Sequence, residues 1–71
     1  MKAEPVVKYD SEDDILHVFI TSTDNFMADE EFPDVYVNRD EETGEIRGFK
    51  ILNYERMNKP IVQKHFPEYF H

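Results

Sequence analysis

Apolar residues along this chain come in short runs, and most runs alternate with a period of two. Ile15-Leu16-His17-Val18-Phe19-Ile20-Thr21 is mostly β-branched or aromatic and is bounded by turn formers, the composition of a strand. Leu16, Val18 and Ile20 share one side of it and are uniformly aliphatic, so that side is assigned to the core. Ile15, His17 and Phe19 share the other. That side is mixed, and the expectation is partial cover by the C-terminal segment or by another chain. Val6-Val7-Lys8-Tyr9 is a second β-favouring run, joined to the first through the polar turn Asp10-Ser11-Glu12-Asp13-Asp14. Together they read as an antiparallel hairpin.

After a loop at Ser22 to Asn25, Phe26 to Phe32 reads as a weak edge strand. Its Asp29-Glu30-Glu31 places charge where unwanted pairing must be discouraged. Pro33-Asp34 punctuates. Val35-Tyr36-Val37-Asn38-Arg39 alternates with Val35 and Val37 inward, and Asp40 to Gly44 forms a hairpin loop in which Gly44 supplies a positive φ. Glu45 to Leu52 is the last strand. Phe49 and Ile51 face the core, and Gly48 permits a close strand approach or a bulge. Beyond Leu52 the period changes. Asn53 to Met57 reads as a turn or a single helical turn. Asn58 then caps a short helix over 58–66 with Pro60 in its first turn, and Pro67 ends it. Ile61, His65 and Phe66 are the side chains expected on the sheet.

These elements predict one small α+β domain over 1–71: a β-rich, twisted antiparallel meander of about four strands with a short C-terminal helix over part of one face. A lone sheet with an uncovered mixed face is poorly protected, so a homodimer or a hetero-complex is expected.

Composition narrows the function classes. A chain of 71 residues buries only about 60% of its unfolded surface. The charged fraction of 34% and mean hydropathy of −0.72 lean toward disorder, but 14% aromatics gathered in strand-like runs argue for a fold. There is no cysteine, which removes disulfides, thiolate metal sites and thiol nucleophiles. No apolar run reaches the ~20 residues of a membrane span, and Met1 to Pro5 has no signal-type apolar segment. A cytoplasmic location follows as the expectation. The formal charge of −8 is uneven: residues 1–45 carry a net −11 and residues 46–71 a net +3. The first part repels phosphate and the second is too weakly basic for a nucleic-acid footprint. A basic protein partner or head-to-tail self-association suits this asymmetry.

No catalytic or metal motif emerges. A calcium loop starting at Asp10 needs glycine at its sixth position and an acid at its twelfth, where this chain has Ile15 and Thr21. The Asp10, Glu12, Asp13, Asp14 cluster is read instead as turn chemistry, with Asp10 bonding turn amides. Asp40, Glu41, Glu42 and Glu45 also lack ligand spacing. His17 and His65 are placed where they approach each other across the mixed face, but zinc needs three or four convergent ligands. Ser11 and Ser22 sit in turns without a neighbouring base, and two glycines make no phosphate-cradling loop. No cofactor is implied.

The order of the elements resembles a known family. Lys8-Tyr9-Asp10 followed by Asp13-Asp14-Ile15-Leu16-His17-Val18 is similar to the opening Y-D…D-x-L-x-I signature of domain-of-unknown-function family 2283. The similarity continues at Val35-Tyr36-Val37-Asn38 and at Asp40 to Gly44. It ends at Gly48-Phe49-Lys50-Ile51-Leu52-Asn53, near that family's G-I-E-I-L-(D/N), so it covers about residues 8–53. Lys50 stands where the family usually has an acid, and His17 where an aromatic is usual. The resemblance implies a small prokaryotic β-rich protein with a short helical tail and no established activity. Genes of this family often lie beside genes for small suspected toxins, which implies an antitoxin-like role. The leading expectation is therefore a non-catalytic protein-binding module whose acidic surface meets a basic partner through Asp29, Glu30, Glu31, Tyr36 and Tyr54. The alternatives are a metal- or small-ligand-responsive regulator using His17 and nearby acids, and a self-assembling structural subunit.

Overall fold

The computed structural model of the chain describes residues 5–20 and 26–70; Thr21, the expected loop at 22–25 and His71 lie outside the described residues. Five strands form one antiparallel sheet: β1 (Val6–Asp10), β2 (Ile15–Phe19), β3 (Phe26–Phe32), β4 (Val35–Asp40) and β5 (Ile46–Leu52). A π-helical turn (Tyr54–Asn58) and one helix, α1 (Lys59–His65), follow. No helix among the described residues is long and apolar enough to cross a membrane.

The β-rich class with a short C-terminal helix is as the sequence predicts, with two differences. There are five strands rather than about four, because the weak acidic run at 26–32 pairs fully through its backbone. An edge strand needs a partner on one side only, so its polar side chains do not prevent pairing. The sheet is also not a meander. Its order is β1-β2-β5-β4-β3, so β3 does not follow β2 in space, and the last strand occupies the centre. Burial explains that placement. Phe49 and Ile51 of β5 are at most 1% exposed, and only a strand flanked on both sides shields side chains so completely.

Gly48 holds the centre together. It pairs with Phe19 of β2 and with Asn38 of β4, and a Cβ there would lie 2.5 Å from the Val18 carbonyl oxygen. The register shifts beside it, since Asn38 pairs with Gly48 and Arg39 with Ile46. Arg47 is left as the extra residue of a bulge. Its carbonyl accepts the Ile20 N–H (2.9 Å) and its guanidinium meets the Asp40 carboxylate (3.2 Å). Gly44 closes the β4–β5 hairpin at φ 76° as expected.

The core lies on one side of the sheet. Leu16, Val18, Val35, Val37, Phe49 and Ile51 point to it, and Val62 and Phe70 close over them. The Phe49 ring is surrounded by Phe66, Tyr69 and Phe70 at centroid distances of 5.0, 5.3 and 5.1 Å. The C-terminal segment therefore covers the aliphatic side, not the mixed side carrying Ile15, His17 and Phe19. The main sheet contact of α1 is Val62, fully buried, rather than Ile61, while His65 stacks on Phe32 at 4.5 Å. Asn58 does not cap α1: its side chain makes no cap bond and donates instead to the Leu52 carbonyl at 2.7 Å. Buried at the end of β5, the amide finds a strand carbonyl nearer than the helix N–H groups.

Two aspartates in left-handed turns decide where the tail goes. Asp14 (φ 55°) ends the β1–β2 turn. Its carboxylate accepts hydrogen bonds from the Tyr9 hydroxyl (2.7 Å) and from the backbone N–H groups of Glu55 (2.9 Å) and Arg56 (3.2 Å), and its carbonyl accepts from Tyr54 N–H (3.1 Å). Asp34 (φ 64°) sits in the β3–β4 turn; its carbonyl accepts from Leu52 N–H (2.8 Å) and its carboxylate from the Asn53 side chain (3.0 Å). Asn53 is itself left-handed at φ 52°, which turns the chain from β5 back over the sheet. Asp10 bonds turn amides as expected, accepting from Glu12 and Asp13.

These bonds make stability depend on pH. The Tyr9 hydrogen bond, followed by the Glu55 N–H, holds the Asp14 carboxyl below its ordinary value of 3.8. The N–H groups of Thr43 and then Glu42, with Arg47 behind them, do the same for Asp40. Tyr9 is pushed up from 10.0 to about 12, first by its bond to Asp14 and then by desolvation. Depressed carboxyls contribute stability above the unfolded value and lose it as pH falls. The raised phenol contributes below 10 and loses it as pH climbs toward 12. The melting temperature is expected to fall at both limits, and Asp14→Asn to flatten both limbs and lower the plateau; identical pH profiles for the two proteins would refute this role for Asp14. Gly48→Ala is expected to cost about 1–3 kcal/mol in urea unfolding, because backbone of β2 must move; a shift within ~0.5 kcal/mol, the range of ordinary surface changes, would show that the approach is not tight.

Candidate functional site

With α1 and the terminal aromatics on one side, no other described element covers the opposite side of the sheet. Strand registers fix what this side presents. One row crosses all five strands: Lys8, His17, Lys50, Tyr36 and Glu30. The adjacent row is Val6, Phe19, Gly48, Asn38 and Ala28. Ala28 carries only a methyl group, and a hollow opens beside it between the larger residues. The cavity measures about 420 Å³ and is lined by His17, Phe19, Phe26, Ala28, Tyr36, Asn38, Phe49, Lys50 and Leu52. That volume falls within the range of small-ligand pockets, and apolar walls with a few polar groups are their usual make-up.

Several walls are unusually wet for apolar groups. Phe19 is 48% exposed, Phe26 42% and the neighbouring Val6 52%. His17 lies parallel to Phe19 at 6.2 Å, as two residues on the same side of one strand do. The polar members are equally unsatisfied: among the described residues, Lys8 and Lys50 enter no ion pair. Glu30, the acid at the end of their row, is occupied by the backbone N–H of Asp34 (3.0 Å). The acids of the two turn regions, Asp10 to Asp14 and Asp40 to Glu45, lie at opposite ends of the strands. The middle of this face is thus locally cationic in a chain of net charge −8.

The residues singled out from sequence do not form one group. Glu30 and Tyr36 are cross-strand partners on the uncovered side. Asp29 is opposite the inward-facing Val37 and so belongs to the other side. Glu31 is the extra residue of a bulge in β3 and pairs with Arg39 through two bonds of 2.7 and 3.2 Å. Tyr54 lies in the π-helical turn, edge-on to Tyr9 at 6.2 Å. His17 and His65 do not approach each other, because α1 packs on the opposite side of the sheet. Among the described residues no three His, Cys, Asp or Glu converge as a metal site would require. Sequence reasoning missed Lys50 and Asn38 as site residues. Their signal was the alternation itself, since each occupies the position complementary to a core residue in its strand.

The two sides of the sheet should respond differently to truncation. Phe49→Ala is expected to cost about 3–5 kcal/mol, whereas Phe19→Ser should change stability by less than ~1 kcal/mol and reduce binding of a hydrophobic fluorescent dye to the native protein. Equal losses in denaturant titration would mean that Phe19 is not free.

Nothing matches among curated proteins, and nothing among solved structures. A family model described as a protein of unknown function (DUF2283) matches residues 6–54. The match begins with β1 and ends in the π-helical turn, so it takes in the whole sheet and both partners of the Tyr9–Tyr54 contact. The chain belongs to the DUF2283 family.

Proposed function

We propose that the chain is a non-catalytic protein-binding module, of the antitoxin type that the family resemblance implies, and that its working surface is the uncovered side of the sheet. The observation behind this reading is the patch formed by Val6, Phe19 and Phe26, each more than two-fifths exposed on one side of a 71-residue chain. Exposed apolar side chains gathered around one hollow mark interaction sites. The acidic strand ends steer a basic partner toward the protein, and the apolar centre supplies the contact. A fitting partner has an apolar middle and a basic periphery. Self-assembly through the same face is a weaker reading, since a two-fold axis there sets Lys8 and Lys50 against their own copies. Of the acids first assigned to partner contact, Glu31 is committed to Arg39 and Glu30 to the Asp34 turn, so Tyr36 and the apolar patch carry the proposal.

The test uses the full chain and the product of the neighbouring gene, mixed at low ionic strength. A stoichiometric complex is expected, weakening as salt rises, with Phe19→Asp lowering affinity at least about tenfold, an effect of ~1.4 kcal/mol, without changing the melting temperature. A complex that ignores both salt and the Phe19 substitution would overturn the assignment of this face.

A further inference from the structure

We infer that the hollow beside Ala28, between Phe19 and Tyr36, binds a small amphipathic monoanion, a carboxylate carried on a flat apolar body. Shape and charge both point that way. Phe19, Phe26 and Tyr36 stand around a cavity of about 420 Å³ whose floor is the backbone of the central strands. A planar ring of a ligand has ring faces and edges to meet there. Among the described residues lining it Lys50 is the one charged side chain, and it has no anionic partner among them.

Lys8 and His17 lie in the same cross-strand row; Lys8 adds positive charge on that flank and His17 a ring nitrogen. Asn38 offers a side-chain amide on the other. The nearest acid in the row, Glu30, is already bonded to the Asp34 N–H. A carboxylate placed beside Lys50 therefore meets donors and a cation, while its apolar body displaces water from half-exposed rings. A cationic or neutral ligand gains only the second part. The pocket lies within the face proposed above for protein docking, but ligand binding needs no partner, so the two readings fail separately.

The experiment titrates the isolated ¹⁵N-labelled chain with indole-3-propionate, and in parallel with indole-3-propionamide, which has the same body without the charge. Saturable amide shifts confined to residues 15–19, 26–28, 36–38 and 48–52 are expected for the acid. The amide should bind at least about fivefold more weakly, and so should the acid with Lys50→Met, which keeps an apolar stem on an exposed site and leaves the melting temperature unchanged. Equal affinity for acid and amide would remove the anion from the proposal and overturn it. Shifts that do not saturate, or that spread over α1 and the core, would overturn it as well.

Discussion

The Asp14 carboxylate is the constraint on which the rest of the molecule hangs. Left-handed at the end of the first hairpin, it collects the Tyr9 hydroxyl and two backbone N–H groups from the segment after β5. Four strand ends and one exit direction are settled by that group and by Asp34. Hydrogen bonds to a carboxylate are stronger than those between neutral groups. Here they also satisfy N–H groups at the start of a helical turn, which have no partner inside it. The family signature gains a physical meaning from this geometry. Tyr9 and Asp14 close one clasp with the segment after β5, Asn53 binds the neighbouring Asp34, and Asp10 shapes its own turn.

The clasp decides which side of the sheet is dry. By sending α1 over Leu16, Val18, Phe49 and Ile51, it leaves the other side without cover from the described chain. The molecule is therefore two layers on one side and one layer on the other. That arrangement reconciles an acidic chain with a cationic middle. Acids gather in the turns, where carboxylates bond backbone N–H groups, and among the described residues Lys50 lines the hollow with Lys8 in its row and Glu30 at the row's far end.

Much of the fold was legible from the sequence, and the reasons differ by element. Alternation along β2, β4 and β5 identified the buried residues because a period of two admits one inward set. The aliphatic set Leu16, Val18, Val35, Val37, Phe49 and Ile51 is that set. Gly48 was legible because a glycine inside a strand has few other uses. Strand order was not legible, since alternation says which way a side chain faces and nothing about neighbours. Nor was the side that the helix covers. That depends on Asp14, which the D-x-L-x-I resemblance marks but whose partners, the N–H groups of Glu55 and Arg56, lie some forty residues away. The uncovered hollow was half-visible. His17 and Phe19 stood on a side recognised as mixed, but Lys50 and Asn38 join them only through the β2–β5–β4 pairing.

The position of β5 has a consequence for how the protein comes into being. The strand that completes both β2 and β4 is the last to leave the ribosome, and its pairs, such as Ile15 with Leu52, join the two halves of the chain. Contacts so distant along the chain close slowly, because the intervening loop must lose its freedom first. During synthesis the first hairpin and the Phe26–Asp40 hairpin wait side by side without a shared interior. A nascent chain in that condition leaves the edges of β2 and β4 that β5 later pairs open to solvent. The shared interior of the sheet thus waits on a seven-residue segment and on the Val62 and Phe70 that close over it.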